Sequence, residues 1–132
     1  MNSCVPFSLK DTLKFLKKND NYIILTHASP DGDTLGAGYA LYYGLKQLGK
    51  NVEVICPDVI PHDYAYFLCE TDHVAREGAT LVAVDIADKR LLGSLCEIFG
   101  DKIDLAIDHH ISNTRFSKNL YLDADAAATC QI

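Results

Sequence analysis

The chain has no CxxC pair, no apolar run long enough to cross a bilayer and no surplus of basic side chains. Each absence excludes something. The five cysteines, Cys4, Cys56, Cys69, Cys96 and Cys130, are odd in number and widely spaced, so neither a thiolate zinc site nor a thioredoxin-like motif is expected. With no secretory signal at the N-terminus, free thiols in a reducing cytoplasm are the expectation. The apolar runs extend only a few residues, which predicts a soluble, cytoplasmic protein with no membrane partner. Twelve basic against eighteen acidic residues give a net charge of −6. That argues against a broad basic face gripping duplex nucleic acid. It leaves room for a local basic pocket, or for metal ions that reverse the sign of an acidic site.

What is present is an ordinary globular balance, 48% hydrophobic and 23% charged over 132 residues. This length suits one compact domain or one piece of a larger protein, with roughly two thirds of its extended surface available for burial. Residues 8–19 carry Leu9, Leu13, Phe15 and Leu16 at helical spacing behind Ser8, a candidate N-cap. Lys10, Lys14, Lys17 and Lys18 form the solvated face of that helix. Tyr22 to Thr26 predicts a strand, Asp33 to Leu48 a helix closed by Gly49, and Val52 to Cys56 a second strand. Asp63 to Cys69 predicts a short helix, Leu81 to Val84 a third strand, Arg90 to Phe99 a third major helix, and Leu105 to Ile107 a fourth strand. Beyond Asp123 the residues predict a turn leading into a helix from near Ala126, cut off about two turns in. Continuously apolar strands alternating with helices predict an α/β fold: a doubly wound, mainly parallel sheet with helices on both faces.

In such sheets functional residues collect outside the carboxyl ends of the strands. Polar clusters follow three of the four predicted strands: His27-Ala28-Ser29-Pro30-Asp31-Gly32-Asp33, then Asp85, then Asp108-His109-His110. The topology would bring four carboxylates and three imidazoles onto one edge. Carboxylates so placed repel one another unless cations are present, and a mixed carboxylate–imidazole set suits Mn²⁺, Zn²⁺, Fe²⁺ or Co²⁺.

Each residue alone has a plainer explanation. Asp33 could be the N-cap of the helix after it, and Asp88 could cap the one starting near Lys89. Capping does not account for adjacent His109 and His110 beside an Asp, nor for His27 four residues before Asp31. Other features read as structural. Gly36 and Gly38 permit close approach of the helix to the sheet; they belong to no GxGxxG fingerprint. Tyr39, Tyr42 and Tyr43 read as core or sheet-facing. His62 and His73 lie in turns without ligand-like company. Ser94 and Cys96 have no nearby base to make a nucleophile.

His27-Ala-Ser-Pro-Asp-Gly-Asp-Thr-Leu-Gly, then Val-Ala-Val-Asp85-Ile-Ala-Asp88, then Ile-Asp108-His109-His110-Ile-Ser-Asn113 resemble, in this order, the first three motifs of the DHH phosphoesterase superfamily. The resemblance runs from about Tyr22 to Ile132 and is closest to RecJ-like proteins of the nano-RNase and pAp-phosphatase type. It implies a Rossmann-like DHH catalytic domain over residues 1–132, ending before a fourth-motif Asp and a C-terminal DHH-associated domain. It also implies two Mn²⁺ ions per site, with Mg²⁺, Co²⁺ and Zn²⁺ compatible. His27 and Asp31 would bind one ion, Asp33 and His109 the other, and Asp85 would bridge. Asp108 would orient a histidine, and His110 would meet the substrate phosphate as a catalytic group, with Asn113 and Arg115 as lesser candidates for the phosphate pocket.

The implied activity is metal-dependent hydrolysis of phosphate esters in short RNA oligonucleotides or 3′-phosphoadenosine 5′-phosphate. Cyclic or linear dinucleotides, pyrophosphate and polyphosphate are alternative substrates within the superfamily, and a homodimer is compatible with it. A reading from another class, a receiver-like Mg²⁺-binding signalling module, would use Asp85 but gives His27 and the DHH triplet no role. Without the fourth-motif Asp and the second domain, the 132-residue chain alone is expected to be nearly inactive.

Overall fold

The computed structural model describes residues 3–132. The element order is β1 (Val5–Pro6), α1 (Leu9–Lys18), β2 (Tyr22–Leu25), α2 (Gly32–Gln47), β3 (Val52–Ile55), β4 (Thr80–Val84), α3 (Cys96–Phe99), β5 (Leu105–Asp108) and β6 (Asn119–Leu122). Short 3₁₀ helices occupy His62–Phe67, Lys89–Leu95 and Thr129–Gln131. The strands form one sheet in the order β1-β6-β5-β4-β2-β3, and every pairing is parallel. From β2 the chain winds outward to β3; from β4 it winds the other way through β5 and β6. The reversal between neighbouring β2 and β4 is the position where an open α/β sheet leaves a crevice at its carboxyl edge.

Alternation along each strand sorts the core into two layers. Tyr22, Ile24, Val82, Val84 and Leu105 pack with Leu16, Ala37, Tyr42 and Leu45 of α1 and α2. Ile23, Leu25, Leu81, Ala83 and Ala106 pack on the opposite face with Leu92, Phe99 and Ile103. Burial on both faces is why these strands read as unbroken apolar runs, and each buried Leu, Ile or Val side chain contributes roughly 1.5–3 kcal/mol. Helix α1 starts with a complete capping box: the Ser8 hydroxyl accepts from Asp11 N–H and the Asp11 carboxylate accepts from Ser8 N–H. All five cysteines are free thiols. No helix among the described residues is long and apolar enough to cross a membrane.

Six local expectations are corrected. Helix α2 begins at Gly32, and its N-cap is Asp31 rather than Asp33. The expected helix from Arg90 to Phe99 is instead a 3₁₀ segment and a four-residue α-helix, broken at Gly93 (φ 57°, ψ −127°). A Cβ there would stand 3.1 Å from Ala28 Cβ and 3.7 Å from Pro57 Cβ, so glycine lets this loop close onto the residues beside His27. The helices expected over 63–69 and from near Ala126 are instead 3₁₀ turns at His62–Phe67 and Thr129–Gln131. Gly38 does face the sheet, where a Cβ would stand 3.1 Å from Thr26 Cγ2, but a Cβ on Gly36 would meet Cys130 Sγ instead. Tyr39 and Tyr42 are buried, whereas Tyr43 is half exposed. Strands β1 and β6 were not anticipated; each is too short or too polar to stand out as an apolar run.

Candidate metal centre

Three strand ends deliver the polar clusters to one place. The Thr34 hydroxyl joins two of them, accepting from His27 N–H (3.3 Å) and donating to the Val84 carbonyl (3.1 Å). Asp85, the residue after β4, is buried and has φ 62°, a left-handed conformation uncommon for a residue with a Cβ. Its N–H reaches across to the carbonyl of Ile107 on β5 (3.0 Å). Its two carboxylate oxygens point to different histidines: Oδ2 lies 3.5 Å from His27 Nε2, and Oδ1 lies 3.6 Å from His109 Nε2.

Each of those histidines is oriented by its other nitrogen. His27 Nδ1–H donates to the Ala28 carbonyl at 2.7 Å. His109 Nδ1–H donates to the Ala126 carbonyl at 3.3 Å. A carbonyl only accepts, so Nδ1 carries the proton and Nε2 faces the carboxylates. His27 Nε2 is also 3.5 Å from Asp31 Oδ1, and His109 Nε2 is 3.6 Å from Asp33 Oδ2. Two donor atoms about 2.1 Å from a common ion stand roughly 3–3.5 Å apart, close to the spacings here. Oxygen and imidazole donors at these distances fit a hard or borderline divalent cation. His27, Asp31 and Asp85 present ligand atoms within 4.8 Å of one another, and so do Asp85, His109 and His110. Asp85 belongs to both sets.

The remaining expected residues fall as follows. Asp31 has two tasks, since its Oδ1 also accepts from the N–H groups of Asp33 (3.1 Å) and Thr34 (3.0 Å) at the start of α2. Asp108 is fully buried. It accepts from His110 Nδ1–H (2.7 Å), His109 N–H (2.8 Å) and Asn113 Nδ2 (2.9 Å). His110 Nδ1 also lies 3.8 Å from Asp85 Oδ1. With that nitrogen committed to Asp108, the partly exposed ring has only Nε2 free. Asn113 is turned inward, its amide donating to Asp108 and to the Ile86 carbonyl, while its oxygen takes Arg115 N–H at 2.7 Å. Arg115 is exposed, with φ 57°. Asp88 caps the 3₁₀ segment at Lys89 and pairs with Arg90, as its plainer reading had it.

The electrostatics respond to this crowding. The Asp85 carboxylate holds the His27 pKa well above its ordinary value, at about 9; burial opposes this, and the Ala28 carbonyl and Asp31 support it. Burial pushes the Asp33 carboxyl up, but N–H donation from Cys130 and Thr129 outweighs it and the group ends lower than usual. Those last donors were not foreseen from the sequence. Thr129 and Cys130 lie far along the chain, and no spacing rule marks an Ala-rich turn as part of a site.

Residues 21–132 match the family model "DHH family, N-terminal domain". The chain is 36% identical over 116 residues to the bifunctional oligoribonuclease and PAP phosphatase NrnA of Thermus thermophilus, covering 83% of this chain and 34% of that protein. It is 28% identical to the protein of the same name from Mycoplasma genitalium, covering 94% of this chain and 41% of that one. It thus spans between a third and a half of the length of these relatives. In fold it is similar to an exopolyphosphatase-related protein from Bacteroides fragilis, with a TM-score of 0.79 and 22% identity over 91% of this chain and 39% of that one. The span matched to the family's N-terminal domain contains all three strand-end clusters, and the chain belongs to the DHH family.

Proposed function

We propose that this chain is the metal-binding domain of a Mn²⁺-dependent phosphoesterase acting on short oligoribonucleotides and 3′-phosphoadenosine 5′-phosphate, the substrates in the relatives' names. The observation that carries this reading is Asp85, whose two oxygens are divided between two histidine–carboxylate sets. His27, Asp31 and Asp85 would hold one ion; Asp33, Asp85 and His109 would hold the other. Ions so bound would supply a nucleophile from water at neutral pH and offset charge on the phosphoryl oxygens. His110, fixed through Asp108, would in its doubly protonated form donate Nε2–H to a non-bridging phosphate oxygen as negative charge builds there. Donation from Nδ1 of His27 to the Ala28 carbonyl and from Nδ1 of His109 to the Ala126 carbonyl leaves both Nε2 atoms aimed inward, where each would meet an ion once its proton is displaced. The sequence's departure from basic composition is then no obstacle, because the cations and not lysines would offset the phosphate.

Metal content and hydrolysis test this together. The chain should bind about two Mn²⁺, and the complete gene product should hydrolyse 3′-phosphoadenosine 5′-phosphate and a labelled diribonucleotide. Asp85→Asn should remove hydrolysis and weaken both ions, since it alters the one ligand they share. An Asp85→Asn protein with wild-type metal content and turnover would overturn the reading.

A further inference from the structure

We infer that the C-terminal turn from Ala126 to Cys130 is the positioning element for the ion of Asp33, Asp85 and His109, and that the Thr129 hydroxyl is its central group. This rests on the two-ion reading above. One short segment reaches all three of that ion's residues, each through a different chemical group. The Ala126 carbonyl accepts from His109 Nδ1–H and so turns Nε2 inward. The N–H groups of Thr129 and Cys130 donate to Asp33 Oδ2 (3.0 Å) and Oδ1 (2.8 Å), gripping both oxygens and fixing the plane of the carboxylate. The Thr129 hydroxyl donates to Asp85 Oδ1 at 2.9 Å. That is the oxygen facing His109, while Oδ2 faces His27.

Thr129 is 4% exposed, so its hydroxyl has no water to turn to. A carboxylate can only accept, so the hydroxyl proton must point at Asp85. An oxygen accepting one hydrogen bond keeps a further lone pair for a cation, so the grip orients these ligands without consuming them. The contact with α2 is close. A Cβ at Gly36 would stand 2.9 Å from Cys130 Sγ, and that thiol donates to the Asp33 carbonyl at 3.3 Å. The other ion's residues are held differently: His27 by the adjacent Ala28, and Asp31 by the first turn of its own helix. The two halves of the centre therefore differ in what orients them, one locally and one through a turn 96 residues along the chain from Asp33.

The test is calorimetric titration of the metal-free chain with Mn²⁺, alongside its thermal unfolding, for wild type, Thr129→Val and Thr129→Ser. Valine keeps the shape and removes the hydroxyl; serine keeps the hydroxyl. Thr129→Val should weaken one of the two ions about 10- to 100-fold and leave the other unchanged, and Thr129→Ser should restore wild-type binding. Should the valine chain fail to fold, Thr129→Ala carries the same expectation. Two wild-type affinities in the valine chain would overturn the inference, as would equal loss in valine and serine, which would mark a packing role for the methyl group. Equal weakening of both ions would overturn it too, indicating general loosening. A wild-type chain that binds no second ion would instead refute the two-ion reading, and this inference with it.

Discussion

Asp108→Ala removes the acceptor for three donors at once. Two of them, Asn113 Nδ2 and the His109 N–H, have little access to water; the third, His110 Nδ1, belongs to a ring that is partly exposed and can be rehydrated. A buried donor left without a partner costs roughly 1–3 kcal/mol, which gives about 2–6 kcal/mol for the pair. Relief from burying a carboxylate offsets part of this, so a net loss of about 2–4 kcal/mol is expected. For a chain of this size that lowers Tm by roughly 6–20 °C.

Asp108→Asn separates shape from chemistry. The amide oxygen can still take His109 N–H and His110 Nδ1–H, but its NH₂ now confronts the NH₂ of Asn113. A smaller loss, about 1–3 kcal/mol, follows. Urea unfolding of the metal-free chain measures the stability, and nitrogen NMR of the histidine rings reports whether His110 keeps its proton on Nδ1. Both variants matching wild type in urea midpoint, with the His110 tautomer unchanged, would refute the claim that Asp108 anchors these rings.

Two further outcomes are expected. His110→Ala should lower turnover of the complete gene product while leaving its Mn²⁺ content nearly intact, because Nδ1 is committed to Asp108 and the ring is placed for phosphate; loss of metal, read by elemental analysis, would show that the adjacent histidines have exchanged roles. In the metal-free chain His27 holds its proton to about pH 9, against an ordinary 6.5. The stability this contributes, at most about 3 kcal/mol, is complete below pH 6.5 and is lost as pH rises through 9. Unfolding midpoints in EDTA should therefore fall between pH 6.5 and 9.5, and the His27→Gln chain should lack that component of the fall; identical pH profiles would contradict it.

The sheet and the contents of its carboxyl edge were legible because both rest on patterns with a period or a position. Tyr22 to Leu25, Leu81 to Val84 and Leu105 to Ile107 are apolar without interruption, and His27, Asp85 and Asp108 to His110 stand where those runs stop. Strands β1 and β6 were illegible for the same reason. Val5–Pro6 has two residues, and in Asn119–Leu122 the apolar run is only Leu120 to Leu122, set between Asn119 and Asp123. The segment from Arg90 to Phe99 has helical spacing, yet Gly93 must take a left-handed angle to let the chain pass Ala28 and Pro57, a constraint of tertiary contact that local propensity does not express. The cap at α2 is Asp31 because the helix starts at Gly32; Asp33, inside the first turn, is engaged by Thr129 and Cys130, partners nearly a hundred positions away.

The same physics explains how the centre holds backbone strain and like charge together. Asp85 and Ser29 hold positive φ without being glycine, at a cost of about 1–3 kcal/mol each. Such angles persist only where the surroundings over-determine them. For Asp85 they do: its N–H is tied to β5, one carboxylate oxygen to Thr129, and the strand before it lies buried between two apolar layers. The crowded carboxylates need positive charge as well, and in the metal-free chain the imidazolium of His27 supplies some of it beside Asp31 and Asp85. A divalent cation entering there must displace that proton, so binding releases it and tightens as pH rises towards 9. The apolar sheet thus supplies the stability against which strain and like charge are held at its edge, and the proton on His27 occupies the electrostatic role that a metal ion would take over.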